Sequence, residues 1–339
     1  MAGALTTASV TPTHTPAGGA AASPAGRLGG LGRVGLLAAR RIGLLAVLLA
    51  AVFAAVELLP GDAAGATSDR GASAAEVAAR RAALGLDRPL PERFWDWMTG
   101  LPTGDLGTTA HGEPVTSVLA GPFPNTLLLG GLALAASVLG ALALGGWAAL
   151  RPGGRVDRTI AVLATAAFAL PEFVLSVGLL LVFSLWTGWL PAVTLTGADG
   201  APASWDMIVL PALALAVPQI GWNTRIVRGA LADQAALPHV RAAVLDGLPR
   251  HRILTHHLLP GALPGIAVAT ATSAGMLLGG AVVVETLFNY PGIGAVLAGA
   301  IADRDTPLVA GVVAAAGAAI SVLLLAADLI RERVLGVRG

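Results

Sequence analysis

Long apolar runs separated by short Arg- and Gly-bearing breaks dominate this chain. A bilayer core of about 30 Å needs roughly 20 apolar residues in a helix. Six runs meet that length, at about 42–59, 126–150, 159–186, 207–227, 263–288 and 308–330. The fourth contains Pro211 and Pro218, and a helix-interior proline removes a hydrogen bond and crowds the preceding turn, so interruptions are predicted there. One long polar interval, 60–123, rich in turn formers and charge, separates the first two runs. Ahead of the first run, 1–41 divides into an aperiodic Ala/Thr/Pro/Gly/Ser stretch to about residue 26 and a basic flank. The stretch has too few large apolar groups to offset ordering entropy, so a disordered tail is predicted. The fold class is therefore an all-α membrane protein of six transmembrane helices: a first helix at 42–59, an extracytoplasmic segment at 60–123, a five-helix core at 124–330 and a short tail at 331–339.

Composition sharpens this picture. The chain has 339 residues, 55% hydrophobic and 12% charged. Soluble domains carry roughly 25% charged residues, so lipid is the main solvent here. There is no Cys, which removes disulfides, thiolate catalysis and Cys-based metal sites. All 21 basic residues are Arg. Without Lys there is no Walker A phosphate loop, and Schiff-base or Ser-Lys chemistry is excluded too.

The Arg positions set an expected orientation, since short cytoplasmic loops carry the excess of positive charge. With the N-terminus inside, Arg27, Arg33, Arg40 and Arg41, then Arg151, Arg155 and Arg158, then Arg225, Arg228, Arg241, Arg250 and Arg252, then Arg331, Arg333 and Arg338 all fall inside. Among the short outer loops only Arg304 opposes them; the long interval counts little, because long segments translocate regardless of charge. Both termini are expected in the cytoplasm. Arg40-Arg41 before an apolar run has the look of a twin-Arg export signal, but the run is long enough to span and Glu57-Leu58-Leu59-Pro60 is no small-residue cleavage site. An uncleaved first helix is expected.

The loop between the fourth and fifth runs, about 229–262, is unusually long. Ala235, Ala236, Val240, Ala243 and Val244 fall at spacings that one side of a short helix can present, with Pro238 in its first turn. Gly247 supplies a C′ stop, and a second helical stretch from about Arg250 to Leu259 leads back to the membrane. An apolar face on such an elbow marks either a docking surface or a loop folded back on the bundle. His251, His256 and His257 cluster in sequence without a carboxylate at ligand spacing, so no metal site is expected.

The motif Arg241-Ala242-Ala243-Val244-Leu245-Asp246-Gly247, followed after nine intervening residues by His257-Leu258-Leu259-Pro260, resembles the EAA loop of ABC importer permeases. Arg241 stands where Glu is usual and His257 where Ile is usual. Both departures resemble the dipeptide/oligopeptide/nickel permease branch. Leu59-Pro60-Gly61-Asp62, Leu84-Gly85-Leu86-Asp87, Gly104-Asp105-Leu106-Gly107 and Pro124-Asn125-Thr126-Leu127 are similar to that branch as well. The most specific match is Glu285-Thr286-Leu287-Phe288-Asn289-Tyr290-Pro291-Gly292-Ile293-Gly294, with Arg304-Asp305-Thr306-Pro307 after it. The resemblance spans about 40–330.

The resemblance implies a non-catalytic permease subunit of an ATP-driven importer in the plasma (inner) membrane, with no cofactor of its own. Its ATPase-coupling elbow would comprise Val240, Arg241, Ala242, Ala243, Gly247, Leu259 and Pro260. Implied partners are a second, homologous permease subunit, two ATP-binding subunits, an extracytoplasmic solute-binding protein and the lipid bilayer, but no nucleic acid. Translocation-pathway candidates are Glu172, Glu285, Tyr290, Gly292 and Gly294, with intramembrane carboxylates suspect by default and a turn-holding role favoured for the Glu285 group. The alternatives are a secondary transporter, for which no inverted repeat is visible, and an intramembrane enzyme, for which no His lies inside a predicted span.

Overall fold

The computed structural model describes residues 30–69 and 71–336; the tail predicted to be disordered, up to about residue 26, lies outside them. Among the described residues the architecture is helical, with two isolated β-bridges, Thr108–Pro114 and Thr196–Pro202. Helix α1 is Gly30–Glu57, so it begins well before residue 42. From Gly30 onward the basic flank is helical rather than a leader to the helix, as its Leu, Ala and Arg content favours.

The interval after α1 holds four short helices, α2 (Ala63–Ala66), α3 (Ala74–Ala83), α4 (Leu90–Gly100) and α5 (Val115–Leu119). Local chemistry starts two of them. Asp62 accepts from the Gly65 N–H at 2.9 Å. Ser73 and Glu76 form a reciprocal capping box, the hydroxyl accepting from the Glu76 N–H and the carboxylate from the Ser73 N–H. The segment is thus a folded unit. Its aromatic side chains Phe94 and Trp97 pack on Phe53 of α1.

The long helices are α6 (Pro122–Ala149), the pair α7 (Arg155–Ala169) and α8 (Glu172–Leu179), then α9 (Asp206–Ala235). The elbow helices α10 (Pro238–Leu245) and α11 (Arg250–Ile253) lead to α12 (Leu259–Phe288), α13 (Ile293–Ala302) and α14 (Thr306–Gly336). Among the described residues, five stretches are long and apolar enough to cross a membrane, or six if the bent α7–α8 pair counts as one.

Two expectations are corrected. The third run is not one straight helix: α7 and α8 meet at 99°. Leu170 is extended (φ −79°, ψ 123°) because the ring of Pro171 disfavours the helical region for the residue before it. The second half continues as a wider π turn over Leu180–Trp186. The fourth run behaves oppositely. Pro211 and Pro218 sit inside an unbroken α9, and both are buried. Among the described spans, helix α9 is the most enclosed by the rest of the protein. Helices α6, α7 and α12 pack around it, and this packing offsets the lost hydrogen bonds.

The end bearing the 60–121 segment and the end bearing the elbow are opposite. At the segment end, Glu57 accepts both guanidinium N–H groups of Arg93 (3.0 and 2.8 Å) and the Thr306 hydroxyl (2.9 Å), tying α1, α4 and α14 together. Asp305 caps α14 through the Leu308 N–H at 3.0 Å and takes the Ala110 N–H at 2.6 Å. Burial pushes its carboxyl above the usual range, against the pull of those two donors. Near the elbow end, Arg41 of α1 reaches Asp328 of α14 at 3.0 Å. Replacing Arg93 with Met keeps its apolar stem but leaves Glu57 with one donor. We expect a loss of about 1–3 kcal/mol, read as a lower melting temperature in detergent and faster proteolysis within 60–121.

Candidate functional site

The elbow has a defined start and a defined stop. Pro238 occupies the first turn of α10, where its missing N–H is harmless. At the far end Gly247 adopts φ +74°. Its N–H donates to the Val244 carbonyl at 3.1 Å and the Leu248 N–H to the Ala243 carbonyl at 3.2 Å, the paired bonds of a Schellman stop. Val240 and Ala243 are buried against the bundle, while Arg241, Ala242 and Val244 are exposed and Leu245 is 87% exposed. The predicted apolar side is therefore split: Val240 and Ala243 anchor the elbow, whereas Val244 faces outward with Leu245. A groove of about 460 Å³ runs beside it, lined by Leu150, Val240, Arg241, Val244, Leu245 and Arg250, among others. Arg250 donates to the Leu150 carbonyl at 3.2 Å, fastening the elbow to the end of α6.

Leu259 and Pro260 open α12, directly after a π turn at Leu254–Leu258. The Pro260 ring would crowd the His256 carbonyl in a regular helix, and the wider turn relieves that crowding. Helix α12 thus continues without a gap from the elbow, as one apolar stretch over Arg250–Phe288.

At the opposite end, Glu285, Tyr290, Gly292 and Gly294 come together in a closed clip. Glu285 is 0% exposed. One carboxylate oxygen accepts the Thr126 hydroxyl and the other the Gly294 N–H, both at 2.6 Å. Thr126 in turn accepts the Ile293 N–H at 2.9 Å. The Tyr290 hydroxyl donates to the Asn125 carbonyl at 2.9 Å, and the Asn125 amide donates to the Pro291 and Gly200 carbonyls at 2.7 and 2.9 Å. Burial and the Glu285 charge push the Tyr290 hydroxyl up to about 12, so it remains a donor at neutral pH. Asn289, at φ +50°, ends α12 in the left-handed conformation that Asn tolerates. In this chain these four candidates hold the α12–α13 turn onto the start of α6. They present no open wall: Tyr290, Gly292 and Gly294 are buried as well.

Glu172 differs. It is half-buried at the α7–α8 bend, and its carboxylate lies on the bare backbone of α12 at Gly280. No hydrogen bond to that carboxylate exists among the described residues.

Sequence reasoning missed two polar links inside the bundle. Asn223 of α9 donates to Ser137 of α6 at 2.8 Å and accepts from Ser273 of α12 at 3.0 Å. Asp157 of α7 holds Arg228 of α9 through two guanidinium nitrogens, one of them, Nη2, at 2.9 Å, and takes the Gly153 N–H at 2.9 Å. The available signals were an Asn and an Asp within or beside apolar runs, where an unpaired polar group is costly.

Among the described residues the structure is a helical bundle with five or six apolar stretches long enough to cross a membrane and an elbow between α9 and α12, and comparison with known proteins gives its class. Residues 141–335 match the family described as the binding-protein-dependent transport system inner membrane component, and residues 34–129 match the N-terminal model of that system's membrane component. The chain belongs to this family, as an integral inner-membrane, multi-pass ABC importer permease of the peptide/oligopeptide branch. The glutathione transport system permease protein GsiC of Pectobacterium atrosepticum is 35% identical over 266 residues, covering 78% of this chain and 85% of that protein. A probable peptide ABC transporter permease protein, y4tP of Sinorhizobium fredii, is 34% identical over 260 residues, covering 76% and 83%. A chain of the MetNI methionine ABC transporter, in an inward-facing conformation, shares the fold with a TM-score of 0.52 at 20% identity, over 66% of this chain and 99% of that one.

The clip makes a direct prediction. A Cβ on Gly292 would run into the Glu285 carboxylate, whereas one on Gly279 would meet nothing within 4 Å. Gly292→Ala is expected to cost about 1–3 kcal/mol through overpacking and Gly279→Ala much less, measured as melting temperatures of the two purified variants.

Proposed function

We propose that this chain forms half of the translocation pathway of an ATP-driven importer for peptides or related small solutes, coupled through its elbow to separate ATPase subunits. It crosses the membrane six times, the bent α7–α8 pair counting as one crossing, with both termini in the cytoplasm. The observation that carries the coupling reading is α10 itself. Val240 and Ala243 fix it to the bundle while Val244 and Leu245 are held outward beside a groove. A rigid stub with an exposed apolar tip on a polar end of the protein fits a partner's cleft. The orientation is supported by the placing of Arg151, Arg155, Arg158, Arg241, Arg250 and Arg252 around the elbow end.

The assembly would need a second permease half, two ATP-binding subunits and an extracytoplasmic solute-binding protein. The solute class follows the relatives, whose names specify glutathione and peptide. In this reading, Glu172 is the pathway candidate with a free carboxylate, and the Glu285 clip serves as a fixed point for the helices around the pathway. ATP hydrolysis belongs to the partner subunits, since this Lys-free chain has no phosphate loop of its own.

Two variants test the elbow. Gly247→Val forces a β-branched residue into the left-handed region, at a cost of roughly 1–2 kcal/mol, and should misalign the elbow without unfolding the bundle. Leu245→Asp alters only a solvent-facing tip. Both are expected to insert normally yet lose most solute-stimulated ATPase activity when reconstituted with their partners in proteoliposomes. Wild-type uptake by both variants would refute the coupling assignment. Glu172→Gln should leave assembly intact and slow uptake.

A further inference from the structure

A cavity of about 430 Å³ lies between α7 and α9, away from both the elbow groove and the Glu285 clip. That volume falls within the roughly 300–1,000 Å³ of small-molecule sites. Its walls are of two kinds. Ile160, Ala161, Ala164 and Ile226 are apolar, whereas Trp222, Thr224, Arg225 and Arg228 bring hydrogen-bond donors. Arg228 is held by Asp157. Arg225 is exposed and has no acidic partner among the described residues. Two wall residues also carry polar atoms without a hydrogen-bond partner, the Trp222 indole Nε1 and the Thr224 hydroxyl. Buried donors are normally satisfied, so a cluster of unsatisfied donors beside an unpaired guanidinium has the character of an incomplete anion site.

Depth narrows the occupant. Helix α7 starts at Arg155, at the elbow end, and its cavity-lining residues Ile160 to Thr165 lie about 8–15 Å along the helix from that start. Arg225 sits one helical turn further from the elbow than Arg228. The donors therefore cluster where a span passes from its basic flank into its apolar length. The exposed Val162 and Leu163 of α7 lie on the same stretch. A polar anion joined to hydrocarbon matches that arrangement, and basic pockets between membrane helices suit anionic headgroups.

The geometry points to a binding site for the phosphodiester of an anionic phospholipid between α7 and α9, with Arg225 as the charged donor and Trp222 Nε1 as a second. The lipid tail lies along Ile160, Ala164 and Ile226 and adheres the bent α7–α8 pair to α9. This site depends neither on the coupling role of the elbow nor on the identity of the transported solute.

The test is native mass spectrometry of the full-length chain in detergent, with phosphatidylglycerol, phosphatidylcholine, inorganic phosphate or tri-alanine added. Wild-type protein should retain phosphatidylglycerol in preference to phosphatidylcholine. Arg225→Gln should retain about tenfold less, the size of effect expected for one charge-assisted hydrogen bond. Trp222→Phe, which keeps the aromatic contact with Phe168 (5.1 Å between ring centroids) and removes only the N–H, should also retain less, at an unchanged melting temperature. Equal retention by wild type and both variants, or no preference over phosphatidylcholine, would overturn the proposal. Displacement of the lipid by tri-alanine would instead assign the cavity to cargo, and displacement by inorganic phosphate would assign it to a free anion; either result overturns it.

Discussion

A carboxylate shut away from water must be satisfied by the chain that surrounds it, and Glu285 is such a group. Its two oxygens take one donor from α6 and one from the backbone of the next helix. The cost of burying a charge without partners far exceeds that of a typical lost hydrogen bond, so the clip is all-or-nothing: the turn after α12, the first turn of α6 and the Asn289 cap must form together. The glycines follow from this. Gly292 and Gly294 bring bare backbone against a carboxylate that leaves no room for a side chain. Helix α9 complements the clip from the centre. Its Asn223 joins the two helices that the clip also ties, at a different depth, so α6 and α12 are held relative to each other at two levels.

The sequence made the helical class, the polar interval and the elbow legible, because each rests on local chemistry. Apolar run length follows bilayer thickness, and Gly247 stops a helix whatever surrounds it. Glu285 and the turn glycines were visible as a motif, and their role in holding the turn follows from one carboxylate meeting Thr126 far away in sequence. What the sequence obscured was set by tertiary context. Pro171 breaks its run and Pro218 does not, although both interrupt apolar stretches. The difference lies in burial: Pro218 is enclosed by neighbouring helices, whereas Pro171 is exposed at a bend. The early start of α1 was hidden by its arginines, which read as a flank but are good helix formers. The Asp157–Arg228 pair was hidden because it joins residues 71 apart in sequence.

The elbow's division of labour has the same origin. On a helix of eight residues, Val240 and Ala243 sit on one side and cannot share it with Leu245. A helix this short is marginal alone. It persists because Pro238 starts it, Gly247 stops it and one stripe is buried, which leaves the tip free to be apolar without collapsing onto the bundle.

The unbroken Arg250–Phe288 stretch joins the elbow to the clip as one rod of 39 residues, roughly 58 Å long at the rise of an α-helix. Its softer points, the π turn at Leu254–Leu258 and Pro264, both lie toward the elbow. A rod hinged near one end converts a small angle there into a larger arc at the other: over the roughly 36–45 Å from those points to Phe288, a tilt of about 10° sweeps the far end by about 6–8 Å. The clip, however, welds that far end to α6. A tilt of the rod about its softer points is therefore resisted at the far end by the bonds from Thr126 and Gly294 to Glu285.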